Sequence, residues 1–139
     1  MPTDNNEKRQ IFALNTIALA YLGDAVYEVF VRERLMRCSS ITNQADRLHK
    51  AGVAYVCAAA QAKIIEVLLP DLTEEERALV MRARNHKIAT KPKNADPMDY
   101  KWATAFEALI GALHLAGEEE RCTMLMERAA AIAEEERDK

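Results

Sequence analysis

Chain breakers are scarce in this sequence: four glycines and four prolines in 139 residues. No segment shows sustained alternation of apolar and polar residues, which argues against an all-β fold and for a chain of long helices. Cysteine is limited to Cys38, Cys57 and Cys122. An odd, widely spaced set offers neither a disulfide framework nor a zinc pattern, and it fits a reducing cytoplasm. No apolar run reaches the roughly 18 residues that suggest a membrane span, and the polar, mixed-charge opening MPTDNNEKRQ is no signal peptide. Internal repeats, low-complexity tracts and H-E-x-x-H pairs are absent as well. What is present is a half-hydrophobic chain of a length that supports one core. The expectation is one domain over residues 1–139, flexible over its first ten.

The pattern predicts five helical stretches. Asn15 or Thr16 caps a helix running to Arg37, and Thr42 starts another that Gly52 interrupts before it resumes to Leu69 and stops at Pro70. TEEE, residues 73–76, opens a capping-box helix through Arg84. Helices over 99–115 and 118–136 complete the count. Val53, Val56, Ala60, Ile64, Val67 and Leu68 keep helical spacing and are assigned to the core, as is His114 on its apolar helix.

Two of these helices carry isolated acids. Over residues 17–31 the only charges are Asp24 and Glu28, and over 103–115 the only one is Glu107. A helix apolar on every face is normally buried, and a buried carboxylate is costly unless paired, hydrogen-bonded or metal-bound. Ala20, Gly23, Asp24 and Tyr27 share one face, and Thr104, Glu107, Ala108 and Gly111 repeat the arrangement. Mid-helix glycine costs roughly 1 kcal/mol relative to alanine, so Gly23 and Gly111 point to a close crossing that brings Asp24 and Glu107 together. Either acid alone reads equally well as a salt-bridge or cap partner. The duplicated pattern favours a hard divalent cation, magnesium above all, between them. Glu28 is either an outer group of that site or the i,i+4 partner of Arg32.

The net charge of −3 does not suggest a nucleic-acid partner until its distribution is followed. Residues 82–101 hold six bases (Arg82, Arg84, Lys87, Lys91, Lys93, Lys101) against Asp96 and Asp99, whereas 118–139 hold eight acids against four bases. The basic segment contains two prolines and reads as a loop over 85–98. Its bases suit phosphates, and Asn85 and Asn94 suit sugar hydroxyls along a minor groove. A solvated linker is the plain alternative, and proximity to the acid pair tips the balance towards RNA.

LAYLGDAV resembles the ribonuclease III family signature ERLEFLGDAV, and TAFEALIGALHLAG resembles that family's second block, DxFEALIGAIYLD. With RNHKIATKPKNAD between them, the resemblance spans residues 14–117 and is greatest to the Mini-ribonuclease III branch, which has no separate duplex-RNA-binding domain. The resemblance implies an all-α ribonuclease III-like endonuclease domain. It further implies a magnesium-dependent phosphodiester hydrolase of double-stranded RNA, with Asp24 and Glu107 as catalytic metal ligands and Arg82, Arg84, Asn85, Lys87, Lys91, Lys93 and Asn94 as RNA contacts. A homodimer, precursor 23S ribosomal RNA as substrate and a large-subunit ribosomal protein as candidate assistant come with it. Ile17, Ala20 and Thr104 replace family acids. That departure fits the reduced branch and also motivates an alternative, a catalytically silent, ribosome-associated RNA-binding protein.

Overall fold

The computed structural model describes residues 4–38, 44–87 and 96–139, apart from the side chain of Cys38. Among them all regular structure is helical. The described part of the chain start is helical. Asp4 accepts the Glu7 N–H at 2.8 Å and opens α1 (Asn5–Phe12), which buries Phe12. Lys8 then ties α1 to Glu75 and Glu118 at 3.6 and 3.4 Å.

Asn15 caps α2 (Thr16–Cys38), its Oδ1 accepting the N–H groups of Ile17 and Ala18. The next stretch divides into α3 (Ala45–Val56) and α4 (Ala58–Leu68). Thr42, the expected cap, lies outside the described residues. The break is at Cys57, whose backbone is extended (φ −65°, ψ 156°), and not at Gly52, which stays helical. One extended residue shifts the helical phase, so the single stripe expected across the break does not hold. Ile64 and Leu68 are buried, but Val53 and Val67 are exposed, and Tyr55 and Gln61 take core positions.

A 3₁₀ turn (Leu69–Asp71) containing Pro70 ends α4. The Thr73–Glu76 capping box then starts α5 (Glu74–Arg84) as the sequence predicts. Glu76 is also gripped by Arg121 through two bonds of 3.0 and 2.7 Å.

The helix α6 (Pro97–Leu115) begins two residues earlier than expected. Asp96 caps it with bonds from the Met98 and Asp99 N–H groups, and Pro97 takes the first turn, where no donor is needed. Pro97 and Met98 therefore belong to the helix, not to the 85–98 loop. At its other end Gly117 adopts φ 74°. The Gly117 N–H bonds His114 O and the Glu118 N–H bonds Leu113 O, a Schellman stop. That turn reverses the chain into α7 (Glu119–Arg137).

The central element is α6, packed by α2, α4, α5 and α7 and buried from Ala103 to Leu113 except at Glu107. His114, assigned to the core from its neighbours, is exposed just beyond this stretch. The expectation that α2 is buried on every face fails too. It packs on α6, with Tyr27 edge-on to Phe106, and buries Leu19, Ala20, Tyr27 and Val31, while Ile17, Tyr21, Val29 and Met36 are exposed. An outer helix has one inner side only.

Candidate active site

The contact between α2 and α6 is made at glycine. A Cβ on Gly23 would overlap the Glu107 carbonyl oxygen and stand 2.8 Å from the Gly111 nitrogen. A Cβ on Gly111 would overlap the Leu19 carbonyl oxygen and stand 3.0 Å from the Gly23 nitrogen. Backbone therefore rests on backbone, as the spacing of the small residues predicts. The crossing sets Asp24, one residue past Gly23, within hydrogen-bonding reach of Glu107.

Glu107 is half-buried, whereas Asp24 is exposed in the single chain. Burial first, then the charge of Asp24 and its hydrogen bond, and finally the charge of Glu28 push the Glu107 carboxyl up to about 8, against the opposing pull of the Gln61 amide. Two acids forced into one space resist ionising together. Glu28 also accepts the Arg32 guanidinium at 3.1 Å, so the ion-pair reading of Glu28 is realised while its field still reaches Glu107. At the two positions where the family signature has further acids, Ala20 and Thr104 are both 6% exposed, and the Thr104 hydroxyl donates to Tyr100 O on its own helix at 2.9 Å. Among the described residues no cluster of three metal-binding side chains forms.

One neighbour has no signal in the sequence. Gln61, buried to 1% exposure on α4, donates through Nε2 to Val56 O at 3.1 Å and to Glu107 Oε2 at 3.5 Å. A lone glutamine in an alanine-rich stretch carries no spacing signal; it becomes visible once α4 is seen against α6.

The basic candidates divide. Arg82 donates to the carbonyls of Phe12 and Leu14 at 2.7 and 3.0 Å, which holds the α1–α2 turn. Arg84 lies over the Trp102 ring, 5.1 Å from its centre, and bonds Asn85 Oδ1. Asn85 and Lys87 are exposed. Lys91, Lys93 and Asn94 lie outside the described residues. His86 meets the buried Thr16 hydroxyl at 3.1 Å, which fixes the start of the loop to the start of α2.

Residues 17–118, which contain both acids and the crossing, match the model of the ribonuclease III domain. The chain belongs to the ribonuclease III family. Within this family it is 47% identical over 121 residues to Mini-ribonuclease 3 of Symbiobacterium thermophilum, covering 87% of this chain and 92% of that one. It is 48% identical to Mini-ribonuclease 3 of Brevibacillus brevis, over 88% of this chain and 90% of that one. A crystal structure of a Fusobacterium nucleatum protein superposes with a TM-score of 0.74 at 34% identity, covering 83% of this chain and 90% of the other. These relatives place it in the Mini-ribonuclease III branch of the ribonuclease III family and make it an endoribonuclease with the family's all-helical fold.

Proposed function

We propose that this endoribonuclease cleaves double-stranded RNA with magnesium held by Asp24 and Glu107, acting as a homodimer in the cytoplasm, and that it trims precursor 23S ribosomal RNA. The observation that carries the reading is the enforced meeting of Asp24 and Glu107 across the Gly23–Gly111 crossing. The donor set suits the ion: oxygen donors only, from two carboxylates per chain, for a cation that keeps several waters and takes one or two protein ligands. When bound, the ion supplies an acidified water and neutralises charge gathering on the scissile phosphate. The chain supplies the rest. Asp24 presents its carboxylate at the open surface, and Glu107 anchors from the half-buried side.

Pairing is supported by the outer side of α2, where Ile17 and Tyr21 (85% exposed) lie within two turns of Asp24 and Val29 and Met36 continue the exposed apolar surface further along the helix. Two copies joined there set two acid pairs near one another, which suits cutting both strands of a duplex. The substrate assignment rests on the likeness to the Mini-ribonuclease III branch. The exposed Lys87, with Lys91 and Lys93 further along the sequence, supplies counter-charge for phosphates.

The test is incubation of purified protein with long duplex RNA, with duplex DNA of the same sequence, and with RNA carrying the paired ends of precursor 23S ribosomal RNA. Each is run with magnesium and again with EDTA, with and without large-subunit ribosomal proteins. Metal-dependent cutting of RNA duplexes that is lost in Asp24→Asn supports the reading. Binding without cleavage would instead favour the silent RNA-binding alternative.

A further inference from the structure

Gln61 has a wiring that core packing does not require. At 1% exposure its amide nitrogen uses both hydrogens, one towards Val56 O at 3.1 Å and one towards Glu107 Oε2 at 3.5 Å. Its Oε1 is buried without a hydrogen-bond partner among the described residues. A buried amide with one unsatisfied end carries a desolvation penalty that an aliphatic side chain of similar volume avoids. Something at the nitrogen end offsets it.

We propose that Gln61 is a positioning residue for Glu107, its N–H group holding Oε2 so that Oε1 remains for a cation shared with Asp24. The inference rests on the reading of Asp24 and Glu107 as a divalent-metal site. The direction of the amide follows from chemistry. The Val56 carbonyl, freed at the α3–α4 break, can only accept, so the NH2 end must face it and with it Glu107. A donor aimed at one carboxylate oxygen restricts the rotation of the group and leaves its other oxygen free, beside Asp24. A contact of 3.5 Å is long, as such bonds commonly are before ligands bind. Groups of this kind behind a metal ligand typically contribute roughly 10-fold to 100-fold in affinity.

The experiment uses the full chain without RNA and Mn2+ as the probe, followed by electron paramagnetic resonance of the free ion, for the parent, Gln61→Met and Asp24→Asn. Gln61→Met keeps the volume and removes the donor. The expected result is Mn2+ binding weakened by roughly 10-fold to 100-fold, together with a raised magnesium requirement for cleavage that excess metal relieves. A variant that melts at lower temperature in EDTA yet binds Mn2+ as tightly as the parent overturns the proposal, because that is the behaviour of a packing residue. If Gln61→Met does not fold, the side-chain 15N amide resonances of Gln61 in the parent decide: they must shift as Mg2+ saturates, and unmoved resonances overturn it equally. Asp24→Asn separates the two layers. Undiminished Mn2+ binding by that variant, or none by the parent, sinks the metal-site reading and this inference with it.

Discussion

Glu107 should make the metal-free protein lose stability as pH rises, opposite to a salt-bridged carboxylate. The folded chain holds this carboxyl at about 8, against 4.5 for an ordinary glutamate. Below about 4.5 both states carry the proton and the group contributes nothing. Between those values the unfolded chain has released its proton while the folded chain keeps it, so the folded state binds more protons and unfolding becomes easier with each pH step. At about 1.4 kcal/mol per pH unit the loss approaches roughly 4 to 5 kcal/mol by about pH 8, a large share of the roughly 5–15 kcal/mol typical of a domain. Glu107→Gln removes the group, and urea melts of both proteins in EDTA at pH 5.5, 7.0 and 8.5, at one protein concentration, isolate its effect. The midpoint gap in favour of the variant should widen steadily to pH 8.5. Magnesium should narrow it by stabilising the parent alone, by about 2.7 kcal/mol at one hundred times the dissociation constant. Parallel pH profiles in EDTA would refute the reasoning, since they would mean that Glu107 ionises in the folded chain as freely as in the unfolded one.

Gly111→Ala gains roughly 1 kcal/mol of helix propensity but drives a methyl into the Leu19 carbonyl. Overpacking against backbone outweighs that gain, for a net loss of about 2 kcal/mol or more; a urea midpoint at or above the parent's would contradict the close crossing. Tyr21→Asp places a charge in the apolar face of α2; sedimentation should report about twice the 15.6 kDa chain mass for the parent and the single-chain mass for the variant, and an unchanged mass would place the pairing face elsewhere. Replacing Lys91 and Lys93 with alanine should weaken duplex-RNA binding irrespective of sequence and reduce the log-log salt slope by roughly one unit for each phosphate left without its lysine. Equal binding at every salt concentration would show that RNA is held elsewhere.

The acid pair is legible in the sequence because two independent local rules agree. Glycine inside a helix and a lone acid among small residues each need a reason, and their coincidence on two helices at matching spacing predicts a crossing that the backbone contacts at Gly23 and Gly111 reproduce. The helix starts are legible where a side chain closes its own backbone, as at Asn15 and Thr73. Elsewhere the decisive partner is distant in sequence. Arg82 looks like part of a basic cluster until the carbonyls of Phe12 and Leu14, some seventy residues earlier, are seen to occupy it. The α3–α4 break falls at Cys57, a residue with no breaker chemistry, and the core stripe that assumes one continuous helix loses Val53 and Val67 while Ile64 and Leu68 keep their places.

That same break explains why Gln61 escapes a linear reading yet matters in three dimensions. An unbroken helix over 45–68 would bond the Val56 carbonyl within itself. The extended Cys57 leaves that carbonyl open for the Gln61 amide, which fixes the amide's orientation before it reaches Glu107. Glycine at the α2–α6 crossing brings the acids together; the irregular joint between α3 and α4 decides which polar group meets them from behind. The geometry of the acid pair thus depends on four helices, although only two carry the acids themselves.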